Sequence, residues 1–118
     1  MRMSDEEYFR SCVARERQLA HLLGHSNIEE CYESAGTLWE NTAPLPKWTR
    51  DWQACGPLMV AYGITLSYAQ DSVSARAATT AAAPATVYFS EHPSKDKAVM
   101  YAIVKAVILV LEHAKTAQ

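Results

Sequence analysis

Apolar residues recur at helical spacing near the amino terminus and predict a first helix. Its apolar face comprises Phe9, Cys12, Val13, Ala20 and Leu23. The charged residues predicted on the solvated side are Arg10, Arg15, Glu16 and Arg17. Ser4 followed by Glu7 forms a capping box at the start of this helix, and Gly24 is placed to end it.

The most apolar stretch of the chain, from Ala98 to Leu111, predicts a long C-terminal helix that begins after an N-cap at Ser94. Apolar residues occupy most of its circumference, so it must be covered on more than one side. A β-sheet is expected on one side, and the first helix or a second subunit on the other. The stretch is too short to cross a bilayer, which requires about 20 apolar residues.

Alternating apolar and polar residues predict strands in the middle of the chain. Residues 64–69 and 73–78 alternate on either side of an Asp71–Ser72 turn, and we predict that they pair as a hairpin. Residues 86–90 have strand composition. The register between 73 and 86 stays open because 7 of the 11 residues from 75 to 85 are alanine, which prefers helices.

Two shorter segments and a second helix lie between these elements. Residues 36–41 are predicted as a strand, and residues 28–32 as either a strand or a turn of helix. Pro44 and Pro46 are expected to end regular structure. A second helix is predicted between Thr49, its suggested cap, and Gly63; Gly56–Pro57 either kinks it or marks a fresh start at Pro57.

Composition places the chain among ordinary globular proteins. Its 118 residues suffice for a single domain spanning 1–118, with 49% hydrophobic and 20% charged residues. The formal net charge of −2 argues against a nucleic acid polymer as the main partner, but not against a small phosphorylated ligand. Cys12, Cys31 and Cys55 are widely spaced and form no CxxC, so reduced thiols in a cytoplasmic protein are expected.

These patterns together predict the α+β class. We expect a small, mostly antiparallel sheet packed between helices, as in an α/β/α sandwich, with a long C-terminal helix. No membrane partner is expected. Because apolar residues occupy most of the circumference of the last helix, we predict a homo-oligomer that forms through this helix.

The segment from Trp48 to Trp52 is the first candidate ligand site. Its two tryptophans are four residues apart and would share one helical face, with Arg50 between them to stack on or pair with an anionic ligand. A purely structural interpretation also fits: Trp52 packs in the core, Asp51 caps the helix, and Arg50 is solvated.

The loop before the last helix is the second candidate. Glu91 and His92 follow a strand that carries Tyr88, and Ser94 with Lys95 would suit a phosphate at a helix start. The structural alternative makes Ser94 a simple N-cap and Lys95 a solvated side chain.

No catalytic, cofactor or metal motif is recognisable in the sequence. It lacks a nucleophile elbow, a Walker loop and a dinucleotide fingerprint, so no catalytic residue and no cofactor are assigned. His21 and His25 have the spacing of a helical metal pair, but Gly24 is expected to end the helix between them, so no metal ligand is assigned.

The stretch Leu45–Leu58, which contains Pro-Lys-Trp-Thr-Arg-Asp-Trp and Gly-Pro-Leu, is followed by Tyr62–Ile64, by His92–Val99 and by an alanine-containing helix. This order resembles the phage ABA-sandwich domain family over about residues 19–115. The resemblance implies a small antiparallel sheet between helical layers, but no activity, since the family has no established common function. The alanine-rich strand region departs from the family pattern, where a large aromatic is expected.

The resemblance and the absence of catalytic signatures lead to a functional expectation. The protein would be a non-enzymatic phage or prophage accessory protein in the host bacterial cytoplasm. As an oligomer, it would sequester a host small molecule, such as a nucleotide signal, or mask a host protein, in the manner of a counter-defence protein. The alternatives are a small hydrolase or transferase that uses Asp51, Glu91 or His92, and a virion structural or assembly protein.

Overall fold

A computed structural model of the protein describes residues 4–30, 36–78 and 83–116. Three helices and two antiparallel sheets of three strands each confirm the α+β class and the long C-terminal helix. The helices are α1 (Asp5–Leu22), α2 (Trp52–Ala61) and α3 (Lys95–Thr116), and a short 3₁₀ turn spans Phe89–Glu91. The strands are β1 (Ile28–Glu30), β2 (Leu38–Glu40), β3 (Ala43–Pro44), β4 (Ile64–Tyr68), β5 (Ser72–Ala77) and β6 (Ala85–Tyr88).

Helix α1 begins and ends where its sequence predicts. The Ser4 hydroxyl accepts a hydrogen bond from the Glu7 amide at 3.1 Å, and the Glu7 carboxylate accepts one from the Ser4 amide at 3.4 Å. These two bonds satisfy backbone donors that the first turn leaves unpaired. Gly24 lies just beyond the helix with a φ of +100°, a conformation that glycine adopts at little cost. The predicted capping box and glycine stop are confirmed.

The first sheet has the strand order β1–β2–β3. Ile28 pairs with Glu40, and Trp39 pairs with Pro44 in the two-residue strand β3. As expected, regular structure ends at Pro44, which is the last residue of β3 and is itself paired in the ladder. A proline is tolerated here because β3 is an edge strand, where the missing N–H leaves no internal partner unpaired.

The second sheet has the order β4–β5–β6 and confirms the predicted hairpin. Tyr68 pairs with Val73 across the hairpin, and Ser72 pairs with Tyr88 on the other side of β5. This register resolves the strand pairing within the described part of the alanine-rich region; residues 79–82 lie outside the described ranges. The face turned toward the core comprises Ile64, Leu66, Val73, Ala75, Ala77, Ala85 and Val87.

Helix α3 is the middle layer of the molecule. It contacts β5 and β6, and it also contacts α1 and α2. All seven residues from Ala98 to Val104, almost two full turns, are buried. The expected cover on more than one side is confirmed, and the second cover is α1 together with α2. The sheet of β4, β5 and β6 is thus an outer layer. The two turns of α3 from Ala98 to Val104 are shielded from solvent without a second subunit.

Helix α2 runs unbroken through its proline. Pro57 lies inside the helix with its ring exposed, so the interruption expected at Gly56–Pro57 does not start a new helix. Gly63 follows the helix with a φ of +60°, as expected for a terminating glycine. Within residues 4–30, 36–78 and 83–116, none of the helices combines the length and apolarity needed to cross a membrane.

Candidate functional site

The structure separates the two tryptophans of the first candidate site. Trp48 is buried in a turn before α2, whereas Trp52 is the first residue of the helix and is 43% exposed. The amides of Arg50 and Asp51 both donate to the Lys47 carbonyl, at 3.0 and 2.9 Å, so the backbone turns before the helix begins. The expected shared helical face is therefore wrong, and so is the interpretation in which Trp52 packs in the core.

The carboxylate of Glu16 lies under this turn and binds it. Glu16 is 1% exposed, so its predicted position on the solvated side of α1 is wrong. Its Oε2 accepts hydrogen bonds from the Thr49 hydroxyl at 2.5 Å, the Thr49 amide at 3.3 Å and Arg50 Nε at 3.0 Å. Its Oε1 accepts from Arg50 Nη2 at 2.6 Å. Arg50 thus donates from two nitrogens to the two oxygens of the buried carboxylate, which is the bidentate geometry that a guanidinium and a carboxylate favour.

Arg50 is held by the protein through Nε and Nη2. Its Nη2 also donates to the Gly36 carbonyl at 2.6 Å, and its guanidinium lies 5.6 Å from the ring centre of Phe9. A Cβ on Gly36 would lie 2.5 Å from Phe9 Cζ, and its φ is +83°, so only glycine fits this position. Although burial opposes the charge, the hydrogen bonds from Arg50 to Glu16 raise the pKa of the guanidinium. The Arg50 side chain is only 17% exposed, so it is not the solvated residue of the structural interpretation.

Asp51 and Ser94 serve as helix caps. The Asp51 carboxylate accepts from the Gln53 amide at 3.0 Å, so Asp51, and not Thr49, begins α2. The Ser94 hydroxyl accepts from the Lys97 amide at 3.2 Å at the start of α3. Lys95 Nζ lies 5.3 Å from the Phe89 ring centre, within cation–π distance. These contacts fit the structural interpretation of both caps.

His92 points into the core and not toward solvent. Its ring is 6% exposed and lies 5.2 Å from the Tyr8 ring, edge-on, and 4.9 Å from the Tyr101 ring. Among the residues that the structure describes, neither His92 Nδ1 nor the Tyr8 hydroxyl has a hydrogen-bond partner. Burial lowers the pKa of His92 and raises that of Tyr8. Within the described ranges His92 forms no hydrogen bond with an acid.

The surroundings of His25, Cys12 and Cys55 indicate structural roles for these side chains. His25 Nδ1 lies 2.9 Å from Glu40 Oε1, on the far side of Gly24 from His21. No group of three or more metal-ligating side chains occurs in the part of the chain that the structure describes. Burial raises the pKa of the Cys12 thiol and raises that of Cys55 to about 12, so both free thiols are protonated at neutral pH. Cys31 lies outside the described residues.

The solvent-facing side of the second sheet carries a polar pocket; we call this side the outer sheet face. Because side chains alternate along a strand, the register places on it the residues that do not face the core. A pocket of about 460 Å³ opens on this face. The pocket is lined by Thr65, Ser67, Ser74, Arg76 and Pro84.

Arg76 is the charged group of the pocket. Its partner across the strands is Thr65, and its guanidinium is exposed and makes no hydrogen bond or ion pair within the described chain. The neighbouring row of the face pairs Ser67 with Ser74 and Ser74 with Thr86, and the last two hydroxyls are 2.8 Å apart. An unpaired guanidinium beside hydroxyl donors is suited to an anionic oxygen ligand.

Tyr88 is the one sequence-predicted candidate on the outer sheet face. It pairs with Ser72 and is 48% exposed. The Trp48–Trp52 segment instead forms the turn before α2 and the first residue of that helix. Sequence reasoning missed Arg76, although the alternation of residues 73–78 places it opposite the alanines that face the core.

Comparison with known proteins gives no relative. No protein-family model, no curated protein and no solved structure matches this chain. The resemblance to the phage ABA-sandwich family therefore stays a prediction, and function must be inferred from the chain's own geometry.

The Glu16 contact predicts a large loss of stability on substitution. Glu16→Gln leaves the half-buried guanidinium of Arg50 without its counter-charge, and removing one partner of a buried pair costs about 3 kcal/mol. Urea unfolding at pH 7 measures this change. Glu29→Gln, at an exposed carboxylate of β1, is the control and should change stability by less than about 0.5 kcal/mol. Equal losses in the two variants would contradict the role assigned to Glu16.

Burial of His92 predicts a loss of stability in acid. Because burial lowers the pKa of His92 in the folded state, the unfolded chain binds the proton more readily. The contribution of neutral His92 to the free energy of unfolding is complete above the unfolded-state pKa of about 6.5. It is lost as the pH falls below that value, by at most about 1.4 kcal/mol per pH unit. Unfolding free energies at pH 7.5 and 5.5 measure the slope.

The matched variants for this slope are His92→Gln and His21→Gln. His92→Gln should flatten the dependence between these pH values, whereas His21→Gln, at an exposed histidine of α1, should keep it. An unchanged slope in His92→Gln would show that another group causes the acid sensitivity.

Proposed function

We propose that this protein is a non-enzymatic binding protein that takes a small anionic molecule on the outer sheet face. The observation that carries this proposal is the unpaired guanidinium of Arg76 in a pocket of hydroxyl side chains. A volume of about 460 Å³ lies within the range of small-molecule sites. A carboxylate or phosphate would accept the guanidinium hydrogen bonds that the protein leaves unused.

The chemistry of the pocket supports binding without turnover. Three of its lining side chains are hydroxyls, and the others are a guanidinium and a proline ring. A guanidinium stays protonated and cannot act as a general base near neutral pH. The histidine of the alternative hydrolase hypothesis, His92, is buried between two tyrosine rings. No contact in the described chain favours the enzymatic or the virion hypothesis over binding.

The cellular role extends this proposal. The resemblance to the phage ABA-sandwich family supports a phage or prophage accessory protein in the cytoplasm of a bacterial host. A stoichiometric binder in that setting would sequester a host small molecule, such as a nucleotide signal. Masking of a host protein is the less favoured role, because the pocket is of small-molecule size.

The binding proposal is tested with a charge-matched pair of variants. Isothermal titration with inorganic tripolyphosphate should detect binding to the wild type and at least a tenfold loss in Arg76→Gln, as expected when a charge-assisted contact worth about 1.5 kcal/mol or more is removed. Lys47→Gln removes the same charge from the turn before α2 and should keep the wild-type affinity. Absence of binding to the wild type, or equal losses in both variants, would reject the outer sheet face as the site.

Self-association through α3 also stays a prediction. The turns from Ala98 to Val104 are covered within the chain, so the surface left for a second subunit is the end of the helix, where Leu109 is 38% exposed. If α3 forms a dimer, light scattering after size exclusion should show it in the wild type, and Leu109→Asp should shift it to monomer. Gln53→Asp, which adds a charge at an exposed position of α2, should not shift it. A monomeric wild type at high concentration would contradict the dimer.

A further inference from the structure

We infer that the anion bound at the outer sheet face is a nucleoside phosphate, with its base stacked on Tyr88 and its phosphates on Arg76. This inference rests on the proposed function, since it names the ligand class of the same surface. It adds a second contact point, Tyr88, which lies outside the pocket residues but on the same side of the sheet.

The register gives the distance between the two contact points. Tyr88 lies opposite Ser72 on β5, and Arg76 follows Ser72 by four residues on the same strand. A strand rises by about 3.3 Å per residue, so the two rows are about 13 Å apart along the sheet. The span suits an elongated ligand with an aromatic ring at one end and anionic oxygens at the other.

The row between these points matches the middle of such a ligand. Ser67, Ser74 and Thr86 form it, and their hydroxyls each provide a donor and acceptor sites. Ser74 and Thr86 use one contact for each other, at 2.8 Å, and keep further hydrogen-bonding capacity. A ribose presents hydroxyls of the same kind. A lipid-like or purely apolar linker would leave this row unpaired.

The aromatic group is exposed and free to stack. Tyr88 is 48% exposed and joins none of the ring pairs formed within the described chain, unlike Tyr8 and Tyr101. A base placed on a tyrosine ring gains stacking energy whatever its identity, because every base has a π-face. Arg76 is the one cation lining the pocket, and the chain carries a net charge of −2. This favours a mononucleotide over a nucleic acid polymer, which needs a row of cations.

The test compares a nucleotide with the phosphate chain alone. Titrations of ATP, GTP and inorganic tripolyphosphate into the wild type should show the two nucleotides binding roughly tenfold or more tightly than tripolyphosphate, which is the size expected for one stacked base. Tyr88→Ala should lower the nucleotide affinities to that of tripolyphosphate and leave tripolyphosphate binding unchanged. Tyr88→Phe, which keeps the ring, should keep the wild-type preference.

Tyr68 provides the matched control. It is 63% exposed and belongs to the same sheet, but its pairing with Val73 places it in a row of the opposite face. Tyr68→Ala should therefore leave nucleotide binding unchanged, and thermal melts of all variants check that each one is folded.

The outcomes separate the two proposals. If Tyr88→Ala keeps the nucleotide preference while Arg76→Gln loses all three ligands, the stacking inference is overturned and the anion site stands. If none of the three ligands binds the wild type, both are overturned. A single-stranded oligonucleotide that binds more tightly than ATP, with an affinity that falls steeply with salt, would also overturn the mononucleotide inference.

Discussion

The buried carboxylate of Glu16 joins three parts of the chain that are far apart in sequence. Through its two oxygens it holds the turn containing Thr49 and Arg50, and Arg50 in turn holds the carbonyl of Gly36. An unpaired carboxylate in this position would be expensive to bury, so the ion pair and the close packing around it must form together. The start of α2 and the segment that leads into β2 are thus positioned from α1.

The contact of Glu16 with Thr49 and Arg50 explains why α3 can be apolar around most of its circumference. The Glu16 contact fixes the turn that leads into α2, and α2 then covers α3 beside α1. On the remaining side the second sheet presents Ala75, Ala77 and Ala85, whose short side chains let α3 pack closely on β5 and β6. These three alanines are therefore explained by the packing of strands beneath a helix and not by helix propensity.

Local signals in the sequence were sufficient for much of the fold. The capping box at Ser4, the hairpin of β4 and β5 and the terminating glycines depend on residues close in sequence, and the structure has them where they were predicted. Glu16 was misplaced because hydrophobic periodicity assigns a charged residue to solvent, and its partner Arg50 lies 34 residues away. The separation of Trp48 from Trp52 depends on the same distant contact, so spacing alone could not reveal it.

The same physical reasoning decides where a ligand can bind. A polar group that is already hydrogen-bonded inside the protein gains little from a ligand, because binding only exchanges one partner for another. Arg50, Asp51 and Ser94 are candidate ligand residues in the sequence, but each is hydrogen-bonded to the backbone or to a buried carboxylate. Arg76 is not a candidate in the sequence, since a lone arginine on a polar strand face belongs to no motif. Its free guanidinium becomes informative only when the register shows what surrounds it, and for that reason the outer sheet face, and not the tryptophan segment, is the better candidate for function.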